Sequence, residues 1–271
     1  MVVSAVDDKK LIRLKKILKS FGSVVVAFSG GVDSTFLLRV ALDVLGRRKV
    51  LAVIAKSETY PKSELKEALK FVKANDIDCK VINTYELKIK GYKNNPVNRC
   101  YFCKKELFSK LRDIKKKVTF NEVLDGTNYD DRLDIRHGRK ARDELAVKSP
   151  LEEAKITKED IRRYSKKIGL PTYNKPSFAC LASRFPYELP ITKKKLERVD
   201  KAEKYLKKCG FTQVRVRDYN GLARIEVYKS EIRKFLTADL NSICRYLQSI
   251  GYKYVTLDLE GYRTGSMNVL P

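Results

Sequence analysis

The chain has 271 residues, with 58 Lys and Arg against 33 Asp and Glu, a formal net charge of +25. This length suits one large domain or two modest ones, and 43% hydrophobic with 10% aromatic residues exclude a disordered basic tail. No run of about 18 apolar residues exists, which excludes a transmembrane helix, and the N-terminal stretch MVVSAVDDKKLIRLKK lacks a secretory h-region and cleavage site, so a soluble cytoplasmic protein is expected.

Residues 8–20 predict an amphipathic helix with Leu11, Leu14, Ile17 and Leu18 on one face. Ser23–Phe28 is a short, uninterrupted apolar run of the kind buried on both faces of a parallel sheet. A Gly-rich turn leads into a helix over about 33–45, and a second buried strand follows at Val50–Ala55. The alternation continues with helix 62–74, strand 78–83, helix 102–116, strand 120–125, helix 139–145 and strand 146–149. Thr157 and Asp160 fit a capping box for a helix ending near Gly169. Strands alternating with helices predict a doubly wound α/β domain with a parallel sheet.

After Pro176 the pattern changes. A charged helix over about 192–208 precedes two alternating strands, Val214–Tyr219 and Leu222–Tyr228, joined by Asn220-Gly221, a strong hairpin signal. Helices at about 230–236 and 238–250 and a strand at 252–259 complete a smaller α+β domain. Pro171, Pro176, Pro186 and Pro190 interrupt helix formation between 171 and 190. The expected domains are 1–175 and 176–271.

Ser29-Gly30-Gly31-Val32-Asp33-Ser34 lies between the first buried strand and the next helix. The glycines allow close approach of backbone to ligand, and the helix start offers unpaired N–H groups and a positive dipole end. Ser34 and Thr35 add hydroxyl donors. This is a pyrophosphate cradle without the Lys and spacing of a Walker loop; the plainer alternative is a tight strand–helix turn capped by Asp33 or Ser34.

Six cysteines are too few for a disulfide scaffold at this size. Cys100 and Cys103 share one face of a helix start, where the dipole and neighbouring Arg99, Lys104 and Lys105 favour thiolate. Cys180 is the nearest further partner; Cys79, Cys209 and Cys244 fall inside strand- or helix-like segments. Three readings stand: a zinc site, which lacks a second C-x-x-C and leaves His137 without a partner; a dithiol relay or no joint role; and an iron–sulfur cluster held by three thiolates. In the second domain Arg215 and Arg217 share one strand face and make a phosphate clamp, against the alternative of exposed strand arginines. Arg136, His137 and Arg139 form a further basic stretch.

SGGVDS resembles the PP-loop of the ATP pyrophosphatase superfamily, whose members cleave ATP between the α and β phosphates and adenylate a substrate oxygen. That resemblance implies ATP held by Ser29, Gly30, Gly31, Asp33 and Ser34, adenine near Ser57, and Mg2+ with Asp33, Asp130 and Asp131 as contributors. The segments SGGVDS at 29–34, NPVNRCYFCK at 95–104, DGTNYDD at 125–131, ACLASRFPY at 179–187, VRVRDYNGLARIEV at 214–227 and GYRTGSMN at 261–268 together resemble the LarE family of ATP-dependent sulfur transferases. The resemblance implies adenylation of a carboxylate of a pyridinium dicarboxylate mononucleotide and its conversion to a thiocarboxylate, in nickel-pincer nucleotide cofactor assembly. Some members sacrifice the cysteine matching Cys180. Others hold a 4Fe–4S cluster on cysteines matching Cys100, Cys103 and Cys180, and this chain has all three. Asp33 and Cys180 are then the catalytic residues, and Arg215 and Arg217, with Arg184 and Arg263 behind them, bind the substrate phosphate.

The rival reading is a tRNA thiolase of the same superfamily, which the +25 charge favours. Against it stand Val32 in the loop, where those enzymes more often carry Lys, and the lack of an RNA-binding module or aromatic platforms. An amidotransferase needs an ammonia source for which this chain has no room; a nucleotide sensor would bind without cleaving. The expected partners are a small nucleotide substrate, a sulfide donor and a second copy of the chain in a homo-oligomer.

Overall fold

A computed structural model describes residues 9–133, 137–176 and 179–267; Arg136 and the last residue of the GYRTGSMN segment lie outside them. The described residues fall into two compact units, one within Met1–Thr84 and Asn98–Phe178, the other within Tyr85–Val97 and Ala179–Pro271.

The first unit is built on strands β1 (Val24–Ala27), β2 (Val50–Lys56), β3 (Cys79–Asn83) and β4 (Glu122–Leu124), all parallel, in the order β3-β2-β1-β4. Helices α1 (Lys9–Phe21), α2 (Val32–Leu45), α3 (Lys62–Ala74), α4 (Arg99–Lys117), α5 (Gly138–Glu144), α6 (Pro150–Glu153) and α7 (Lys158–Lys167) flank it. The unbroken apolar run of β1 has a direct cause: alternate residues feed two cores. Val24 and Val26 pack with Leu14, Leu18, Phe36, Ala68 and Ile161, from α1, α2, α3 and α7. Val25 packs on the other face with Phe108, Leu111, Ile114 and Ala141, from α4 and α5. Truncating a fully buried leucine such as Leu14 or Leu18 to alanine is expected to cost about 2–5 kcal/mol. This is the doubly wound α/β arrangement that the sequence predicts.

The strand expected at 146–149 does not form. A single bridge pairs Leu124 with Lys148, with Lys148 N–H donating to Val123 O at 2.9 Å and Asp125 N–H to Lys148 O at 3.0 Å. Ala146 has a φ of +53° and Pro150 already opens α6, so too little extended chain remains for a ladder. The capping box is present: Thr157 Oγ1 accepts from Asp160 N–H at 3.2 Å, and Asp160 Oδ2 accepts from Thr157 N–H at 3.1 Å. Helix α4 begins at Arg99, earlier than expected, which sets Cys100 in its first turn and Cys103 at the start of its second.

The second unit carries β5 (Val214–Tyr219), β6 (Leu222–Val227) and β7 (Tyr254–Leu257), with helices α8 (Lys193–Lys208), α9 (Ile232–Leu236) and α10 (Leu240–Ser249). Strands β5 and β6 form the expected hairpin, with Asn220 and Gly221 both at positive φ, and β7 adds parallel to β6. Val214, Val216, Ala223, Ile225 and Val227 pack on one side with Leu206, Ile243 and Leu247. The intervening residues Arg215, Arg217, Arg224 and Glu226 give the hairpin a second, polar side. Tyr85–Val97, which the sequence boundary near 176 assigns to the first domain, belongs with this second unit. Its Lys93 and Asn95 carbonyls accept from Ile191 N–H at 2.8 Å and Glu188 N–H at 3.0 Å, and the Asn95 amide donates to Phe185 O and Pro186 O. Among the described residues no helix is long and apolar enough to cross a membrane.

Candidate active site

The Ser29–Ser34 loop joins β1 to α2 as a cradle. Gly30 has a φ of +64°, and a Cβ there would lie 2.9 Å from that of Ala68, so a side chain is excluded both by conformation and by contact with α3. Gly31 is the N-cap of α2 and supplies no side-chain cap, so the first-turn N–H groups of α2 remain for a ligand. The alternative of a turn capped by Asp33 or Ser34 does not hold. Ser34 Oγ instead braces the loop, accepting from Ser29 N–H at 3.2 Å and lying 3.1 Å from Ser29 Oγ. Thr35, expected to add a hydroxyl donor, is fully buried, and its Oγ1 has no hydrogen-bond partner among the described residues. Tyr60 OH donates to Ser29 O at 2.7 Å, and Lys175 Nζ reaches Gly30 O at 3.3 Å while pairing with Glu64 and Glu67 at 2.7 and 2.8 Å. Burial, with Glu64 and Glu67 adding to it, pushes the Tyr60 hydroxyl well above its ordinary range, so it stays a donor. For Lys175 burial acts downward, but the two carboxylates outweigh it and raise the pKa, keeping the ammonium charged beside the loop.

Asp33 stands in the first turn of α2. Its carboxylate is ion-paired to Lys158 and accepts from Asn128 Nδ2 at 3.4 Å. Neither partner was expected from the sequence. Asp130 accepts from Lys158 N–H at 2.7 Å and Asp131 from Asn128 N–H at 3.0 Å, so both expected magnesium contributors are engaged in shaping this turn. The hard carboxylate oxygens of Asp33, beside an uncapped helix start, suit a divalent cation carried on nucleotide phosphates. Ser57 follows β2 and is half-buried, 3.0 Å from Thr59 Oγ1.

Cys100 is exposed in the first turn of α4, and Cys103 is half-buried one turn on. Tyr101 OH accepts from Lys105 at 2.7 Å and donates to Glu144 at 2.9 Å, tying this turn to α5. Two thiols one helical turn apart, at a positive helix end, suit a thiolate-ligated group. Among the described residues neither unit gathers three His, Cys, Asp or Glu side chains as a metal-ion group. His137 is the N-cap of α5.

In the second unit, Cys180 is half-buried at the start of a 3-10 turn, Leu181–Arg184. Arg184, expected as a phosphate ligand, is engaged in holding that turn. Its Nη1 donates to Ala179 O at 2.7 Å and Cys180 O at 2.9 Å, while Nε and Nη2 grip Glu203 at 2.8 and 3.0 Å. Glu203 Oε1 also accepts from Val216 N–H at 3.1 Å, closing the free edge of β5. Burial opposes ionisation of both partners, but their mutual attraction prevails, raising the Arg184 pKa and lowering that of Glu203. Arg215 and Arg217 share one strand face as expected, yet both are buried rather than exposed. Arg217 donates to Glu226 at 2.6 Å and to Ser183 O at 3.1 Å. Burial, followed by the charge of Arg184, lowers the Arg215 pKa. Arg263 pairs instead with Asp258 at 3.6 Å and with Glu260.

A family model described as NAD synthase matches residues 7–130, the stretch that carries the phosphate loop. The chain is 42% identical over 262 residues to an uncharacterized protein of Synechocystis sp., covering 96% of this chain and 97% of that one. It is 41% identical over 251 residues to the pyridinium-3,5-bisthiocarboxylic acid mononucleotide synthase of Lactiplantibacillus plantarum, covering 93% of this chain and 91% of the synthase. An uncharacterized protein of Methanocaldococcus jannaschii is 33% identical over 259 residues, covering 94% and 98%. The uncapped loop, the turn at Cys180 and this near full-length likeness lead to one assignment: the chain is an enzyme of the LarE family of ATP-dependent sulfur transferases.

Proposed function

We propose that this enzyme adenylates a carboxylate of a pyridinium dicarboxylate mononucleotide and replaces one of its oxygens by sulfur. The observation that carries this reading lies in the second unit. The arginine-bearing sheet side suited to a phosphate also holds the turn of Cys180, through Arg217 to Ser183 O, while Arg184 within that turn donates to Cys180 O. The named Lactiplantibacillus plantarum relative makes the corresponding bisthiocarboxylate.

In this reading the domain around 1–175 adenylates and that around 176–271 binds the substrate. The first-turn N–H groups of α2 and the Lys158 ammonium hold the β and γ phosphates, Ser57 lies at the adenine, and Asp33 faces the metal side. Mg2+ carried with ATP would neutralise charge on the departing pyrophosphate. The substrate carboxylate oxygen attacks the α-phosphorus, the bond to the β-phosphate oxygen breaks, and pyrophosphate leaves. A sulfur nucleophile then attacks the acyl carbon, and AMP departs with the carboxylate oxygen. Arg215 and Arg217 hold the substrate phosphate throughout, while Arg184 and Arg263 serve as supports of that region.

The thiols of Cys100, Cys103 and Cys180 would hold a 4Fe–4S cluster, whose open iron would supply hydrosulfide. The position of Cys100 and Cys103 one turn apart at the start of α4 supports this donor set. The second reading makes the Cys180 thiolate itself the nucleophile; loss of its Cα proton and cleavage of its Cβ–S bond then release the thiocarboxylate and leave dehydroalanine.

Incubation under anaerobic conditions with ATP, Mg2+, sulfide and the pyridinium mononucleotide tests the proposal. AMP, pyrophosphate and a product with one oxygen exchanged for sulfur are expected, with Cys180 unchanged in mass and about four irons per chain. Cys180 reduced in mass by one hydrogen sulfide indicates the sacrificial route. Nucleotide binding without cleavage, or thiolated tRNA with no thiocarboxylate, overturns the proposal.

A further inference from the structure

The sheet side that carries Arg215 and Arg217 is crossed by Gly261–Met267. Tyr262 N–H donates to Val227 O at 2.7 Å, docking this segment on the end of β6. The Tyr262 ring lies 5.4 Å from the Arg215 guanidinium and edge-on to Tyr228 at 6.2 Å. Ser266 N–H donates to Arg263 O at 3.3 Å, and this turn returns Ser266 to the sheet. There the Ser266 hydroxyl accepts from Arg217 Nη2 at 2.9 Å and donates to Glu226 Oε1 at 2.9 Å.

Charge on this side is unbalanced. Glu226 is fully buried and already holds Arg217 at 2.6 Å and Arg224 at 3.1 Å. Arg217 is 5% exposed, and its Nε has no acceptor among the described residues. A buried guanidinium N–H without an acceptor is costly. An anion bearing several acceptor oxygens would correct that deficit, and a phosphate matches the planar guanidinium fork.

We propose that Gly261–Met267 forms the outer wall of the phosphate site and that Ser266 is a substrate-binding residue, its hydroxyl donating to a phosphate oxygen held by Arg217. This rests on the reading that Arg215 and Arg217 receive the substrate phosphate. On binding, Arg217 Nε gains its acceptor, the Ser266 hydroxyl turns from Glu226 to the phosphate, and Tyr262 keeps the Arg215 guanidinium over its ring. A nucleoside without phosphate offers none of these acceptors. The segment therefore selects the mononucleotide over the nucleoside.

The test compares Ser266→Ala, Ser266→Thr and Arg217→Ala in the full chain, with melting temperature as the folding control. Direct binding is measured with the pyridinium dicarboxylate mononucleotide and with the matching nucleoside. Ser266→Ala is expected to weaken mononucleotide binding about 10-fold, the loss of one charge-assisted hydrogen bond, and to leave nucleoside binding within about 2-fold. Ser266→Thr, which keeps the hydroxyl, restores the preference. Equal weakening of both ligands, or of neither, overturns the assignment of Ser266. An Arg217→Ala protein that keeps its preference for the mononucleotide overturns the phosphate reading beneath it; loss of preference there, with Ser266→Ala neutral, removes Ser266 alone.

Discussion

Lys158 joins three parts of the phosphate region. Its ammonium is ion-paired to Asp33 at the start of α2, its backbone N–H donates to Asp130 at 2.7 Å, and it opens α7. Without a nucleotide the pair neutralises both charges; in the proposed reading, bound triphosphate offers the ammonium a denser acceptor and lets Asp33 turn toward a cation. Lys158→Ala should therefore raise the KM for ATP by about 10-fold or more, the range expected when a charge-assisted hydrogen bond is lost. ATP–pyrophosphate exchange measures it, and an unchanged KM would remove Lys158 from the site. The phosphate loop was legible because its chemistry is contiguous: two glycines, a strand before and a helix after. Lys158 was not, because its partner is 125 positions away and a lone lysine in a chain with 58 basic residues carries no signal. The same limit applies to Arg184, whose motif reads as a ligand until Glu203 is found beside it.

At the scale of elements, α7 shows how a local signal can carry a long-range function. Thr157 and Asp160 were visible as a capping box, and the structure adds Lys10 of α1 at 2.6 Å from Asp160. Burial works against ionisation of Asp160, but the bonds from Lys10 and Thr157 outweigh it and hold its pKa at about 2, below the ordinary 3.8. A depressed carboxylate pKa contributes stability above the unfolded value and loses it as pH falls through the folded one. Asp160→Asn should thus lower the melting temperature by a constant amount above about pH 5, and the gap to the parent protein should close between about pH 4 and 2. Thermal melts across that range check it; a gap that persists at pH 2 would show that the carboxylate charge is not its source. In β5, alternation correctly put Arg215 and Arg217 on one side, but not the depth of their burial. That depends on Glu226 across the hairpin and on Gly261–Met267, which no period in the sequence links to the strand.

At the scale of the molecule, the net charge of +25 is better treated as two separate electrostatic populations. Most lysines lie on solvated surfaces, such as Lys193, Lys194, Lys201, Lys207 and Lys208 of α8, which are all exposed. Arg215 and Arg217 are buried among named partners. Exposed charges farther apart than the Debye length, about 10 Å at 0.1 M salt, are largely screened, whereas buried ones are screened far less. The two populations should separate in a salt titration. Affinity for bulk tRNA, if it involves several surface phosphate contacts, should fall by about 100-fold or more between 50 and 200 mM salt, since each neutralised phosphate adds nearly one unit of slope. The KM for the pyridinium mononucleotide should change by less than about 3-fold over the same interval if, as proposed, its phosphate is held by guanidinium groups removed from solvent. A mononucleotide KM that rises as steeply as tRNA affinity falls would place the phosphate on the lysine surface instead. A tRNA affinity that resists salt would indicate a built RNA face and favour the tRNA thiolase reading. The shallow mononucleotide dependence is expected because the specific part of this chain's charge is the small buried part, and the large exposed excess provides general attraction for anions.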